Sequence, residues 1–292
     1  MKSVRNTLFC GKAIQVGQFE ARPRSDACGD VERQSSNVVV LPVSGVFSRH
    51  DGPNRHAVGT PSHAVFIAAD IPYRISFPAA IGDRALLLKF GPACVDEQRD
   101  WHEHGAARMS HGLLPASAIL LRNLLWFRLR RAKMNEFEAE ALSLDLLGMS
   151  FSSMHARRRP LRSSAVARRM RALERVREAV ALDPAENWTV AKLAKVAGLS
   201  PFHLCHVFRE AVGASIYDYV VQERLAHALD AVLNGADLMT LALDTGFASH
   251  SHLTARFRRF FGCTPTELRR AATAGRVAEL RKIVTASRRL PA

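Results

Sequence analysis

Two stretches in the C-terminal half decide the fold of this chain. Residues 190–212 read VAKLAKVAGLSPFHLCHVFREAV, and residues 237–261 read DLMTLALDTGFASHSHLTARFRRFF. Each stretch has a short helical pattern, a glycine for the turn, a serine that can cap a helix, and a second helical pattern. One such pattern is weak evidence, but two in tandem predict a pair of helix-turn-helix units.

The two units share the same internal design. Ala194 and Ala242 are small residues that allow close helix crossing, and Gly198 and Gly246 supply the turns. Ser200 and Ser249 cap the second helices, which we predict from Pro201 to Val212 and from His250 to Phe261. The side chains expected to point inward are Leu204, Val207 and Phe208 in the first unit and Leu253, Phe257 and Phe260 or Phe261 in the second.

A long helix is predicted between the two units. Residues 217–233 contain neither glycine nor proline, and such a helix would be about 25 Å long. A spacer of that size would hold two groove-facing helices near one turn of DNA apart, about 34 Å.

The charge of the chain is concentrated in the same half. Of the 292 residues, 48% are hydrophobic and 23% are charged, which argues against disorder, and the net charge is +14. Residues 1–156 carry 18 Lys and Arg against 15 Asp and Glu, whereas the remainder carries 23 against 12. This excess favours a polyanionic partner, either nucleic acid or an anionic membrane surface.

The N-terminal half has a different texture. Short apolar runs broken by Gly, Pro, Asn and Asp predict a β-sandwich or small barrel; they lie at 37–41, 45–47, 64–67, 73–77 and 85–90. Helical spacing then predicts two helices joined near Met134 and Asn135 and a polar linker at 157–162. Apolar residues from Val166 to Val180 predict an amphipathic helix that ends near Asp183 and Pro184. Residues 271–292 are expected to hold one or two helical turns.

These patterns predict an α+β chain of two domains. The expected boundaries are 1–112 for a strand-rich domain, 113–162 for a helical dimerisation or linker region, 163–270 for the double helix-turn-helix domain, and 271–292 for a tail. Leu120, Leu124 and Phe127 share one helical face and are candidates for a pairing surface, with packing against the barrel as the equal alternative.

The segment from Trp188 to Arg270 resembles the DNA-binding domain of the AraC/XylS family of bacterial transcription regulators. The resemblance is carried by Ala194, Gly198-Leu-Ser-Pro201, Leu204, Phe208, Gly213, Arg224, Ala228, Gly246-Phe247, Phe257, Phe261-Gly262 and Thr264-Pro265. The N-terminal half is similar, less specifically, to the cupin-like sensor domains that precede this module, with 37–42 and 47–50 as candidate strands.

The resemblance implies which residues would face DNA. The candidates for base contacts are Phe202, Cys205, His206, His250, Ser251, Thr254, Ala255 and Arg256, and the candidates for phosphate contacts are Arg209, Arg258 and Arg259. The sequence departs from the family at Cys205 and Ala255, where many members place a long polar or Arg side chain. Neither residue can form a bidentate contact to a base.

The implied function is a cytoplasmic, sequence-specific transcription regulator that binds promoter DNA and is controlled by a small-molecule effector. A homodimer is expected, and RNA polymerase would be a partner of an activator; the sequence leaves activation or repression open. No enzymatic activity is expected, because neither a phosphate loop nor a nucleophile elbow occurs. No membrane partner is expected, since no apolar run approaches the roughly 18 residues of a membrane helix, and no cofactor is expected.

Two other functions compete with this interpretation. A metal-dependent, cupin-like enzyme would use His50, His56, His63, His102 and His104, but these do not follow the expected ligand spacing. An architectural, non-specific DNA binder would explain the charge but not the nearly neutral N-terminal half. Cys205 would be either a redox switch or, as we expect, a semi-buried residue beside Phe202.

Overall fold

The computed structural model describes residues 2–52, 56–91, 109–155, 164–274 and 277–288. The predicted linker at 157–162 and the candidate ligands His102 and His104 lie outside these residues. The chain divides into two compact units, one made of residues 1–114 and 128–157 and the other of residues 115–127 and 158–292. This division confirms an α+β chain, and it places the start of the intervening helical region with the C-terminal unit.

The N-terminal unit is built on two antiparallel sheets. Its strands are β1 (Lys2–Cys10), β2 (Ile14–Arg22), β3 (Asn37–Gly45), β4 (Phe47–His50), β5 (His56–Gly59), β6 (His63–Ile67), β7 (Arg74–Ser76), β8 (Asp83–Phe90) and β9 (Met109–Leu113). The larger sheet has the order β1-β2-β8-β3-β6-β9, and the smaller one has the order β5-β4-β7. The expected strand-rich domain is confirmed.

Some strands were not predicted from the apolar runs. β1 is an edge strand whose side chains from Ser3 to Thr7 are exposed, so it has no apolar run to detect. In β2, Ile14 and Val16 are buried and alternate with polar residues, which is the period-two signal that could have revealed this strand. β5 and β9 are short, and they are identified as strands by their antiparallel pairing with β4 and β6.

Two helices follow the sheets, as predicted: α1 (Ala116–Leu129) and α2 (Glu136–His155). α2 packs on the larger sheet, where the Phe151 ring lies 5.6 Å from that of Phe90 and 6.0 Å from that of Phe66. Gly112 of β9 makes this approach close, because a Cβ there would lie 2.6 Å from the Ser153 carbonyl oxygen.

The proposed pairing face on α1 is not available in the structure. Leu120, Leu124 and Phe127 are at most 5% exposed within the single chain, and α1 is buried around almost its whole circumference. Residues 115–127 cluster with the C-terminal unit, so packing against the barrel, the alternative stated above, stays a prediction. An apolar stripe in the sequence cannot distinguish these outcomes.

The regular secondary structure of the described part of the C-terminal unit is all helical. Its helices are α3 (Ser164–Leu182), α4 (Val190–Ala197), α5 (Pro201–Val212), α6 (Ile216–Leu233), α7 (Leu238–Asp244), α8 (His250–Phe261), α9 (Pro265–Thr273) and α10 (Val277–Ser287). Both predicted helix-turn-helix units and the long helix between them are present. The tail differs from expectation, because α10 has eleven residues rather than one or two turns.

A buried polar cluster joins α1 to α6 inside the C-terminal unit. Arg122 of α1 is fully buried and interacts electrostatically with Glu223 and Asp230 of α6. Burial lowers the pKa of Arg122 to about 9, and the two carboxylates oppose that shift. Burial also lowers the pKa of His227, which lies on the same helix. The first part of the helical region is therefore built into the core of this unit.

Arg224 of α6 connects the two helix-turn-helix units. Its guanidinium donates hydrogen bonds to the carbonyl oxygens of Pro184 at 2.8 Å, Glu186 at 2.9 Å and Gly246 at 2.7 Å. The first two lie before α4, and Gly246 is the turn of the second unit. A Cβ at Gly246 would lie 2.8 Å from the Arg224 Cζ atom, so glycine is needed for space as well as for its φ of 78°.

A buried carboxylate lies at the start of β8. Asp83 is 3% exposed, and burial raises its pKa to about 7, a shift that a hydrogen bond from its own backbone amide opposes. It pairs with Gly45, where a Cβ would lie 2.0 Å from the Gly82 carbonyl oxygen. The strands therefore meet tightly around this side chain.

Among the described residues, no helix combines the length and apolar character needed to cross a bilayer.

Replacement of Arg224 by Lys is expected to lower the free energy of unfolding by about 2 kcal/mol, because an ammonium cannot reach three carbonyls in one plane. Chemical denaturation of the full chain measures this change. Arg209→Lys is the matched control, since Arg209 is exposed, and its effect should stay within about 0.5 kcal/mol. Equal effects of the two variants would contradict the role assigned to Arg224.

Asp83 is expected to make stability fall as the pH rises from about 4 to about 7. Over this window the folded chain keeps the proton that the unfolded chain has lost, so the free energy of unfolding decreases by up to about 1.4 kcal/mol per pH unit. Denaturation at pH 5, 6 and 7 should show the stability of Asp83→Asn rising relative to the unmodified chain. The exposed Asp70→Asn variant is the control, and a parallel pH dependence for all three proteins would refute the prediction.

Candidate nucleic-acid interface

The first helix-turn-helix unit presents an exposed face on α5. Gly198 ends α4 with a φ of 66°, and the Ser200 Oγ accepts a hydrogen bond from the His203 amide at 3.3 Å. Leu204, Val207 and Phe208 are buried as predicted, which turns the other side of the helix outward. The predicted contact residues on this exposed side are Phe202, Cys205, His206 and Arg209.

The second unit repeats this arrangement on α8. The Ser249 Oγ accepts from the His252 amide at 3.1 Å, and Leu253, Phe257 and Phe261 are buried. Phe261, rather than Phe260, is the fully buried member of that predicted pair. The exposed side of the helix carries His250, Ser251, Ala255, Arg258 and Arg259, and Thr254 is half-buried with its Oγ1 3.3 Å from the His250 Nε2.

Arg256 departs from the expected arrangement. Its guanidinium donates to the Tyr217 hydroxyl at 2.6 Å and to the His252 Nε2 at 3.3 Å, and it lies 5.4 Å from the centre of the Tyr217 ring. The side chain is half-buried and braces α8 against the start of α6. Sequence reasoning missed Tyr217 as its partner, because 39 residues separate the two.

The exposed ends of these helices are electropositive. Each N-terminus is capped by a serine and has no acidic residue in its first turn, and α8 carries Arg258 and Arg259 in its last turn. Backbone amides at a helix N-terminus and nearby arginines both attract phosphate groups. The arrangement can bind the DNA backbone while histidine, serine and threonine side chains reach base edges.

Cys205 is exposed, which corrects the expectation that it is semi-buried beside Phe202. Phe202 itself is 85% exposed and therefore forms no buried partner for the thiol. In contrast, Cys263 is buried, and burial raises the pKa of its thiol to about 12.

The candidate metal ligands of the N-terminal unit have other partners. The His50 Nε2 lies 2.8 Å from the Ser76 Oγ, and the His63 Nδ1 lies 2.8 Å from the Thr60 Oγ1. The His50 and His56 rings stack at 5.9 Å. Within the described ranges, no three His, Cys, Asp or Glu residues are grouped so that they could hold a metal ion.

A pocket opens inside the sheets of the N-terminal unit. It contains about 480 Å³ of space between atoms, counted with its open mouth. Its walls are mainly apolar and aromatic, and its polar lining comes from Arg5, Gln34, Tyr73, Asp83 and Lys89. Gln34 donates to the Tyr73 hydroxyl at 2.5 Å. Such a pocket can receive a small molecule with few polar groups.

Comparison with known proteins finds relatives of the C-terminal unit. Residues 193–271 match a family model described as a helix-turn-helix domain. The virulence regulon transcriptional activator VirF of Yersinia enterocolitica is 31% identical over 93 residues, which cover 31% of this chain and 34% of VirF. A putative AraC-like transcription regulator of Streptomyces lividans is 35% identical over 92 residues, which cover 31% of this chain and 30% of that protein.

Among solved structures, ToxT of Vibrio cholerae is 12% identical, with 89% of this chain and 98% of ToxT covered and a TM-score of 0.36. That score is too low to assign a shared arrangement. The chain matches only about a third of the length of the curated relatives, and the matched segment contains both helix-turn-helix units. Residues 193–271 therefore form a helix-turn-helix domain, and this part of the chain is similar to AraC-like transcription regulators.

Proposed function

We propose that this protein is a cytoplasmic, sequence-specific transcription regulator that binds promoter DNA through α5 and α8. The observation that carries the proposal is the pair of serine-capped helices, each with an apolar face buried in the unit and a polar or basic face exposed. Helices of this kind fit the major groove, with residues near their N-termini directed at base edges.

The proposed contacts fall into two classes. His206, His250 and Ser251 are exposed near the N-terminal parts of their helices and would read bases, with Thr254 beside them. Phe202, Cys205 and Ala255 would supply apolar contacts, such as those with a thymine methyl group. Arg209, Arg258 and Arg259 would bind phosphates, which adds affinity without sequence information. Arg256 would hold α8 in place through Tyr217.

The N-terminal unit would bind the effector and would not catalyse a reaction. Its pocket supports this role, because apolar walls with a few polar groups are typical of small-molecule sites. A metal-dependent, cupin-like activity remains the competing function for this unit, and stoichiometric zinc, iron or manganese in the purified protein would favour it.

The DNA-binding proposal is tested with the full chain. Genome-wide mapping of bound DNA identifies a candidate site, and fluorescence anisotropy then compares that site with a scrambled duplex at matched salt. We expect the bound site to be preferred by a factor of about 10³ or more. Equal affinity for both duplexes, with diffuse protection in footprinting, would reject the regulator in favour of an architectural DNA binder.

Single replacements test the two classes of contact. Arg258→Ala is expected to weaken binding to both duplexes alike and to reduce the slope of log affinity against log salt by about one unit. His250→Ala should instead reduce the preference for particular base pairs, by about 1–3 kcal/mol for a well-formed contact. Exposed Arg130→Ala, which lies in the N-terminal unit, is the control. The opposite pattern would mean that the faces of α8 are wrongly assigned.

The protein is proposed to be a homodimer, and RNA polymerase would be its partner if it activates transcription. Because the apolar face of α1 is buried, the pairing surface is reassigned to α2, where Phe137 is 82% and Leu144 37% exposed. Ala141 and Gly148 are also exposed and complete a stripe with four- and three-residue spacing, as helix pairs require.

The double variant Phe137→Asp, Leu144→Asp is expected to sediment as a monomer under conditions in which the unmodified chain is a dimer, because four carboxylates would then face one another. Analytical ultracentrifugation measures the mass. The exposed double variant Arg130→Asp, Arg131→Asp is a control for added negative charge. A dimer that persists in the first variant would place the pairing surface elsewhere.

A further inference from the structure

The pocket of the N-terminal unit is lined by one buried carboxylate, that of Asp83. Asp83 is the first residue of β8, and it lines the pocket together with Leu87 and Lys89 of the same strand. These residues point to one face of the sheet because side chains alternate along a strand. Asp83 therefore belongs to the pocket wall and not to the outer surface.

The Asp83 Oδ1 atom is buried and has no hydrogen-bond partner within the described part of the chain. A buried acceptor without a donor is costly to keep, and it marks a place where a further group can bind. The backbone next to Asp83 is tightly packed, since Gly45 has a φ of 80° and a Cβ there would lie 2.8 Å from the Asp83 Cα atom.

The pocket that Asp83 lines is mainly apolar and aromatic. Phe47 and Phe77 line the pocket and are at most 3% exposed, as part of the buried cluster of this unit. Aromatic rings next to a carboxylate suit an apolar molecule with an ammonium or hydroxyl end, since a ring face attracts cations and a carboxylate accepts hydrogen bonds.

The cations that line the pocket, Arg5 and Lys89, do not donate a hydrogen bond to the Asp83 Oδ1 atom. Lys89 is six residues further along β8, which corresponds to about 20 Å. Arg5 donates to the Glu32 Oε2 at 2.9 Å and lies 5.2 Å from the centre of the Phe19 ring, so its charge is already paired. Neither side chain is placed to satisfy the Asp83 oxygen.

We infer that the pocket takes a small apolar molecule whose polar end is a hydrogen-bond donor, an amine or an alcohol, and that this end binds Asp83. The inference rests on the proposed effector control of this protein and specifies the ligand class. An acidic ligand is disfavoured at this end, because two carboxylates would be buried side by side.

The test compares three probes of nearly the same shape. Isothermal titration calorimetry of the full chain at pH 8, where the Asp83 carboxylate is ionised, measures 2-phenylethylamine, 2-phenylethanol and phenylacetate. Fragments of this size are expected to bind with dissociation constants on the order of millimolar. The amine should bind at least about tenfold more tightly than phenylacetate, with the alcohol between them.

Two variants locate the contact. Asp83→Asn should weaken binding of the amine about tenfold and change binding of the alcohol much less, because the amide oxygen still accepts a hydrogen bond. Asp26→Asn removes an exposed carboxylate that does not line the pocket, and it should leave amine binding unchanged. The order of the three affinities is measured on the unmodified chain alone. It therefore tests the inference even if Asp83→Asn fails to fold.

Preference for phenylacetate, equal binding of the three probes, or no binding of any of them would overturn the inference. An amine affinity that survives Asp83→Asn in a folded protein would do so as well. These experiments contain no DNA, so their failure is distinct from failure of the DNA-binding proposal. Addition of the amine to the anisotropy assay then asks whether occupancy of the pocket changes DNA affinity.

Discussion

The contact on which the C-terminal unit depends is the fork of hydrogen bonds from Arg224. One guanidinium bonds carbonyl groups before the first helix-turn-helix unit and in the turn of the second. These carbonyls have no partner in a regular helix, and a planar group with several donors satisfies them together. This contact attaches both units to the same residue of α6.

Helix α6 extends this constraint through the rest of the unit. It is buried on most sides, and the Tyr219 ring packs edge-on against Phe208 at 5.2 Å, which anchors α5. At its other end, Asp230 and Glu223 face Arg122 of α1. Charges in such a site must be compensated, since removal of one partner would leave another charge buried. Helix α6 therefore contacts both α5 and α1, through Tyr219 and through its two carboxylates.

The main feature of the N-terminal unit is a pocket between its strands that its own side chains do not fill. Close backbone approaches at Gly45 and Gly82 bring strands together, while Phe47, Phe77 and other large side chains form the walls. Asp83 is held in this setting with a raised pKa. Such a group costs stability at neutral pH, and a polar group placed at such a cost often serves binding rather than folding.

The sequence by itself determined the two helix-turn-helix units, including their caps, turns and inward-facing residues, because these depend on local spacing and on glycine and serine at fixed positions. It also indicated a strand-rich N-terminal half and the basic character of the C-terminal one. Tertiary structure alone decided that Arg256 turns to Tyr217, that α1 is buried on its apolar face, and that Asp83 lies in a pocket. These outcomes depend on contacts between residues far apart in the chain, and no local pattern records which distant side chain will fill a given space.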